Sequence, residues 1–185
     1  LSAKTTTFHG VGRHQVGLQY LPQPDFLNFN LPNTHIALVT NEGTTFTTET
    51  IKALEEKGNK VVVLNLHQVV NNPIQSNAIS LTANTDVAIA SALQTIEQQY
   101  GKVGTFIHLH PHLTFQNGNF AQHFQTEKAI VKTVFLLAKH LQQPLNELGK
   151  NQRANFLTIS QMDGQLGQGK RGDVSVLAGG LRGLV

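Results

Sequence analysis

Four short apolar runs constrain this chain more than anything else in it: His35–Thr40 (HIALVT), Lys60–Leu66 (KVVVLNL), Val103–Leu109 (VGTFIHL) and Ala154–Ser160 (ANFLTIS). Runs of this length, rich in β-branched residues, read as strands buried inside a sheet, and such a sheet needs cover on both faces. Segments of helical spacing lie between them. Thr44–Lys57 puts Ile51 and Leu54 on one face and ends at Gly58. Val87, Ala90, Leu93, Ile96 and Tyr100 recur at near-helical intervals, after Thr85-Asp86 as a cap and before Gly101. Gln122–Gln143 carries Ile130, Val131, Val134, Phe135, Leu137, Ala138 and Leu141, which cover more than one face. That helix should therefore be buried on two sides and should stop at Pro144. Ala78–Thr82 reads as a further, shorter strand, and a last helix is expected from near Asp173.

The order β-α-β-β-α-β-α-β-α, in units of about 30 residues, argues an α/β fold: a parallel sheet with helices on both faces. Right-handed crossovers favour the strand order 3-2-1-4-5. This is a Rossmann-like pattern of the short-chain dehydrogenase kind. His67–Ser76 is short for a full crossover helix, so one half of the fold is partly trimmed.

Ahead of this unit, residues 1–12 are polar. From His14 to Tyr20 the apolar Val16, Leu18 and Tyr20 alternate with Gln15, Gly17 and Gln19, the period of a half-buried strand. Pro22 and Pro24 then mark a linker. The chain divides into a tail and strand at 1–24, suited to pairing with a neighbouring subdomain, and a Rossmann-like unit at 25–185. It begins at Leu1 and ends inside the apolar helical pattern Val174–Val185, as expected of a piece of a longer polypeptide.

Composition narrows the functional classes. The net charge is only +3, and the one basic cluster, Lys170-Arg171, sits in a Gly/Gln-rich loop, which argues against nucleic acid. There is no cysteine, so disulfides and thiolate metal sites are excluded. No apolar run approaches the ~20 residues of a membrane helix, and no signal peptide is visible. A soluble, cytoplasmic protein without a membrane partner is the expectation.

The chemistry-bearing motifs are sparse. In a dinucleotide-binding fold the first strand-to-helix turn holds the pyrophosphate, and it needs glycines so that the backbone can approach closely. Here that turn is Thr40-Asn41-Glu42-Gly43-Thr44-Thr45-Phe46. Glu42 would repel phosphates, and Thr44 and Thr45 would crowd them. Gly10-Val11-Gly12 is no substitute, because a strand pattern and not a helix follows it. A short-chain reductase also needs a Tyr-x-x-x-Lys pair. The only tyrosines are Tyr20 and Tyr100, and four positions on stand Pro24 and Gly104. Ser160, at the end of the last strand, has no base downstream to relay a proton. Arg171-Gly172-Asp173 is a chance tripeptide in a loop. The sharpest alternative is His108-Leu109-His110-Pro111-His112. Alternate residues of a strand point the same way, so His108 and His110 could share a metal, with His112 or His67 as third ligand. The plainer reading is a polar strand end.

Phe156-Leu157-Thr158-Ile159-Ser160-Gln161-Met162-Asp163-Gly164-Gln165-Leu166-Gly167, followed by Gly179-Gly180-Leu181-Arg182-Gly183-Leu184-Val185, resembles the ketoreductase region of type I polyketide synthases. The resemblance is strongest to the polyunsaturated fatty acid synthases, and Leu21-Pro22-Gln23-Pro24-Asp25-Phe26-Leu27 looks like the lead-in to that region. It covers about residues 15–185. In that family the ketoreductase has two short-chain-dehydrogenase-like halves, a degenerate structural one and a catalytic one that binds NADPH. The Gly-Leu-x-Gly-Leu helix resembles the last helix of the structural half. Laid on an active reductase, Val174 falls at the tyrosine, Ala178 at the lysine, and Ser160 or Gln161 at the serine.

The resemblance thus implies a non-catalytic subdomain with no catalytic, cofactor-binding or metal-binding residue of its own. NADPH would bind in the adjacent catalytic subdomain. The parent would reduce 3-ketoacyl chains on acyl carrier protein domains. Two rivals remain at this point: an active reductase truncated before its catalytic pair, and a His-based metal or small-ligand module.

Overall fold

The computed structural model describes residues 31–32, 34–69, 73–113 and 120–160, together with Leu177 and Leu181. Five strands form one sheet: β1 (His35–Asn41), β2 (Val61–Asn65), β3 (Ala78–Ser80), β4 (Lys102–Leu109) and β5 (Asn155–Ile159). Their order is β3-β2-β1-β4-β5, and every pairing is parallel. This is the α/β, Rossmann-like arrangement that the strand–helix alternation implies. Among the described residues between β2 and β3 there is no helix, so the connection on that side is abbreviated.

Each strand's place follows from its side chains. β1 and β2 present consecutive buried residues, because both of their faces are covered and both of their edges are paired. On one face Ile36, Leu38, Val62, Leu64 and Phe106 pack under the helices α2 (Asp86–Tyr100) and α3 (Phe120–Gly149). On the other, Ala37, Val39, Val61, Ile107 and Leu109 meet Ile51 and Leu54 of α1 (Thr45–Glu56). Among the described strands β5 lies at the edge of the sheet. Its Phe156 ring stacks on Phe106 at 4.8 Å between centroids, while Leu157 and Ile159 stay exposed on the opposite face.

The helix boundaries follow local chemistry. Thr44 and Thr85 cap α1 and α2, accepting from the backbone N–H of Phe46 and Ala88. Gly101 ends α2 with φ +117, and a Cβ there would stand 2.6 Å from the Thr34 carbonyl oxygen. Only glycine fits that crossing.

Two expectations about α3 need correction. Pro144 does not end it; the helix runs on to Gly149. The reason is burial beyond the proline: Leu145 is a core residue, and Leu148 closes over Gly104 of β4. Nor is α3 buried on two sides within this chain. Ile130, Val134, Leu137 and Leu141 are covered, but Phe135 on the outer side is 54% exposed. One sheet covers one stripe of a helix, and no second layer lies over the other among the described residues. The strand expected at His14–Tyr20 lies outside the described residues, as does the helix expected from Asp173, apart from Leu177 and Leu181.

Pro144 removes the backbone hydrogen bond that would reach the His140 carbonyl, and its side chain is exposed. Pro144→Ala should therefore stabilise the fold, by up to ~3 kcal/mol less any entropy the unfolded chain regains. Denaturant titration of the variant should show a raised midpoint with an unchanged slope; a lowered midpoint would refute this reading of α3.

Candidate functional site

β1 and β4 are neighbours, yet the chain builds outward from β1 to β2 and β3 on one side and from β4 to β5 on the other. The sheet order thus reverses between them. Folds of this kind bind ligands at the carboxyl ends of such a strand pair. Here those ends carry Thr40-Asn41-Glu42 from β1 and its turn, Asn65 from β2, and His108-Leu109-His110 from β4.

The first half of this edge is closed upon itself. The Glu42 side chain is buried at the start of α1, where its Oε1 accepts from the Thr44 N–H at 3.0 Å. The same oxygen accepts from the Thr44 hydroxyl, and from the Thr47 hydroxyl at 3.4 Å. Thr47 Oγ1 in turn accepts from the Glu42 N–H at 3.1 Å. A helix N-terminus offers N–H groups and a partial positive charge to an anion. In this chain Glu42 itself fills that position.

Beside it, the Gly43 N–H donates to Asn41 Oδ1 at 2.9 Å, and Asn41 Nδ2 donates to Asn65 Oδ1 at 2.9 Å. Asn65 Nδ2 donates onward to the Ile74 carbonyl (2.9 Å) and Ser80 Oγ (3.2 Å). Amide side chains therefore tie the ends of β1, β2 and β3 together. At the end of β2, where a dinucleotide fold uses an acidic residue for the ribose, this chain has a buried and fully engaged Asn65.

The second half is a buried histidine relay. His108 Nδ1 lies 2.9 Å from Thr40 Oγ1, which also accepts from the Leu109 N–H at 2.9 Å. His108 Nε2 lies 3.2 Å from His110 Nδ1. Two proton assignments satisfy these contacts: the Thr40 hydroxyl donates to His108 Nδ1 and the His108 Nε2–H to His110 Nδ1, or Thr40 donates to the Leu109 carbonyl at 3.4 Å and both imidazole bonds run the other way. Either way His110 Nε2 is a buried atom with no hydrogen-bond partner among the described residues. The buried carboxyl of Glu127 on α3 acts on His110 electrostatically and also pairs with His123 Nε2 at 3.5 Å.

Burial, and then repulsion from His110, pushes the His108 imidazole down to about 3. Burial also lowers His110, opposed by Glu127. Both rings are thus held neutral at physiological pH.

This arrangement bears on the metal alternative. Both ring nitrogens of His108 are engaged, so it has no lone pair to give a cation, and His112 and His67 are exposed. Among the described residues no group of three or more His, Cys, Asp or Glu side chains converges. What sequence reasoning missed was the depth of His108, which is wholly buried. The available signal was its place inside an apolar run, one residue past the Val39–Ile107 pairing.

The other candidates lie apart. Ser160 follows β5 and is partly exposed. Tyr100 ends α2 just before β4 begins, at the opposite end of the sheet, with the Lys60 amine 5.8 Å from its ring centre. Gly10–Gly12, Gln161, Lys170–Asp173, Val174 and Ala178 fall outside the described residues. No helix among the described residues is long and apolar enough to cross a membrane.

No protein-family model and no curated protein matches the chain. Among solved structures, it is similar to a short-chain dehydrogenase from Leptospira borgpetersenii serovar Hardjo-bovis with bound NAD+. The identity is 13% and the TM-score 0.45. The match covers 75% of this chain and 56% of that protein.

Two outcomes follow from the geometry. Glu42→Ala should leave the capping residue Thr44, and Thr47 with it, without their carboxylate acceptor and cost about 1–2 kcal/mol, read as a lowered denaturation midpoint; an unchanged midpoint would mean the carboxyl holds nothing. The histidines should impose a pH dependence. An unfolded imidazole titrates near 6.5, so between that value and about 3 the unfolded chain binds more protons than the fold. Stability is then intact above pH ~6.5 and falls on acidification, by up to ~1.4 kcal/mol per pH unit for each buried ring. His108→Asn should flatten that slope relative to the native chain. Equal slopes in the two proteins would show that His108 is not the group responsible.

Proposed function

We propose that this chain is a non-catalytic, Rossmann-like structural subdomain that supports an NADPH-dependent 3-ketoacyl reductase. The parent would be a polyketide or polyunsaturated fatty acid synthase whose substrates ride on acyl carrier protein domains. NADPH would be bound by the adjacent catalytic subdomain and not by this chain. The observation that carries the reading is Glu42, whose buried carboxyl sits in the turn before α1 and accepts from the N–H and hydroxyl of the capping residue Thr44, which puts a negative charge where a cofactor's phosphate would lie. The buried Asn65 at the end of β2 and the packed histidines at the end of β4 agree with it. So does the position of Tyr100 at the wrong end of the sheet. The resemblance of residues 156–167 and 179–185 supplies the family context.

A reductase fold whose switch point is filled with its own side chains retains the use of its surfaces. Its role under this reading is to hold a catalytic neighbour in place. Calorimetric titration of the isolated chain with NADPH should give no saturable heat up to millimolar cofactor. Micromolar affinity would overturn the reading in favour of a reductase whose catalytic pair lies elsewhere in the parent.

A further inference from the structure

The outer side of α3 combines an apolar stripe, of which only Val131 also packs against the core, with a row of lysines. Val131, Phe135 and Ala138 form an apolar stripe at helical spacing, and Phe135 is 54% exposed. Lys128, Lys132 and Lys139 run beside it, spaced to fall on one side of the same helix, and Lys150 follows directly after its last residue. Asp86 pairs with Lys139 at 3.2 Å and with His140 at 3.0 Å. Lys128, Lys132 and Lys150 have no ion pair among the described residues.

The stripe opens into a groove of about 870 Å³ between α3 and the edge strand β5. Phe135, Ala138 and Leu145 form one wall; Ala154 and Phe156 form the other. The groove follows α3 from Phe135 to Lys150, about 22 Å at 1.5 Å per residue. It is concave and elongated, which suits a rod such as a helix better than a flat surface.

We infer that this groove is the docking surface for an acidic amphipathic helix on a partner protein. The partner's apolar stripe would lie on Phe135, Ala138 and Phe156, and its carboxylates would face Lys128, Lys132 and Lys150. Charge selects this occupant. A second copy of the chain laid on the same face would set lysines against lysines. An acidic helix instead meets three lysines, Lys128, Lys132 and Lys150, that no carboxylate among the described residues pairs with, and burial of the apolar stripe supplies the affinity. The inference does not depend on the scaffold reading, because it concerns this face alone.

The test uses the whole chain and two fluorescein-labelled model helices of about 18 residues. Both carry Leu and Ile on one face; one has Glu on its flanks and the other Lys. Fluorescence anisotropy should show saturable, micromolar binding of the acidic helix, weakening as salt is raised, with the basic helix at least tenfold weaker. The Lys128→Glu, Lys132→Glu, Lys150→Glu triple variant should lose at least tenfold for the acidic helix. Phe135→Ala should weaken it several-fold, and neither variant should change the melting temperature, since these side chains are exposed. Absent binding of the acidic helix, or equal affinity for both helices, overturns the proposal. So does binding unaffected by both variants, a dimer in sedimentation equilibrium that Phe135→Ala dissolves, or stronger attachment to phosphatidylserine vesicles than to the acidic helix.

Discussion

The rest of the structure depends on β1 being paired along both edges and covered on both faces. Its residues Ile36 to Asn41 are all buried, which no edge strand could sustain. β2 and β4 therefore flank it in parallel register, and parallel pairing obliges each connection to cross over a face of the sheet. Those crossovers put α1 on one side and α2 and α3 on the other. They also bring the ends of β1 and β4 together. The candidate site is thus a consequence of the centre of the sheet, and the polar side chains there had to be reconciled with burial.

That reconciliation explains the site's character. Thr40, Asn41, Glu42, Asn65, His108 and His110 are all buried at or beside the strand ends. In a cofactor-binding protein such groups are aimed at a ligand. Here most of them are aimed at one another: Glu42 at the threonines of α1, Asn41 at Asn65, Thr40 at His108. Each such bond relieves the cost of taking a polar group out of water. Only His110 Nε2 breaks the pattern, beside the one buried carboxyl of α3. Most of the polar groups in this crevice thus satisfy one another within the chain.

Much of this was legible in the chain. Apolar runs such as KVVVLNL and VGTFIHL can satisfy their backbone only inside a sheet, and the alternation with helical patterns leaves few topologies, so the strand order could be read directly. The misfit of the phosphate turn was visible in Glu42 and the lone Gly43. That Glu42 would itself bond the helix start was not, because it depends on the rotamers of Thr44 and Thr47. Pro144 misled for a related reason: its local preference to end a helix was outweighed by the burial of Leu145 and by Leu148, which packs over Gly104, 44 positions earlier. His108 was read as a strand end because periodicity reports the direction of a side chain and not its depth.

The bond between Thr40 and His108 joins residues 68 positions apart. During synthesis β1 emerges well before the strand that must cover its second edge. At ~5–20 residues per second the gap lasts several seconds. Through that interval β1 can gather α1, β2 and β3 on one side only, leaving a row of backbone donors and acceptors open along the other. Closure waits for β4. The nascent chain is therefore most vulnerable to mispairing between the emergence of β1 and that of β4, and a pause placed after Leu109 has left the exit tunnel would favour correct assembly more than one placed before it.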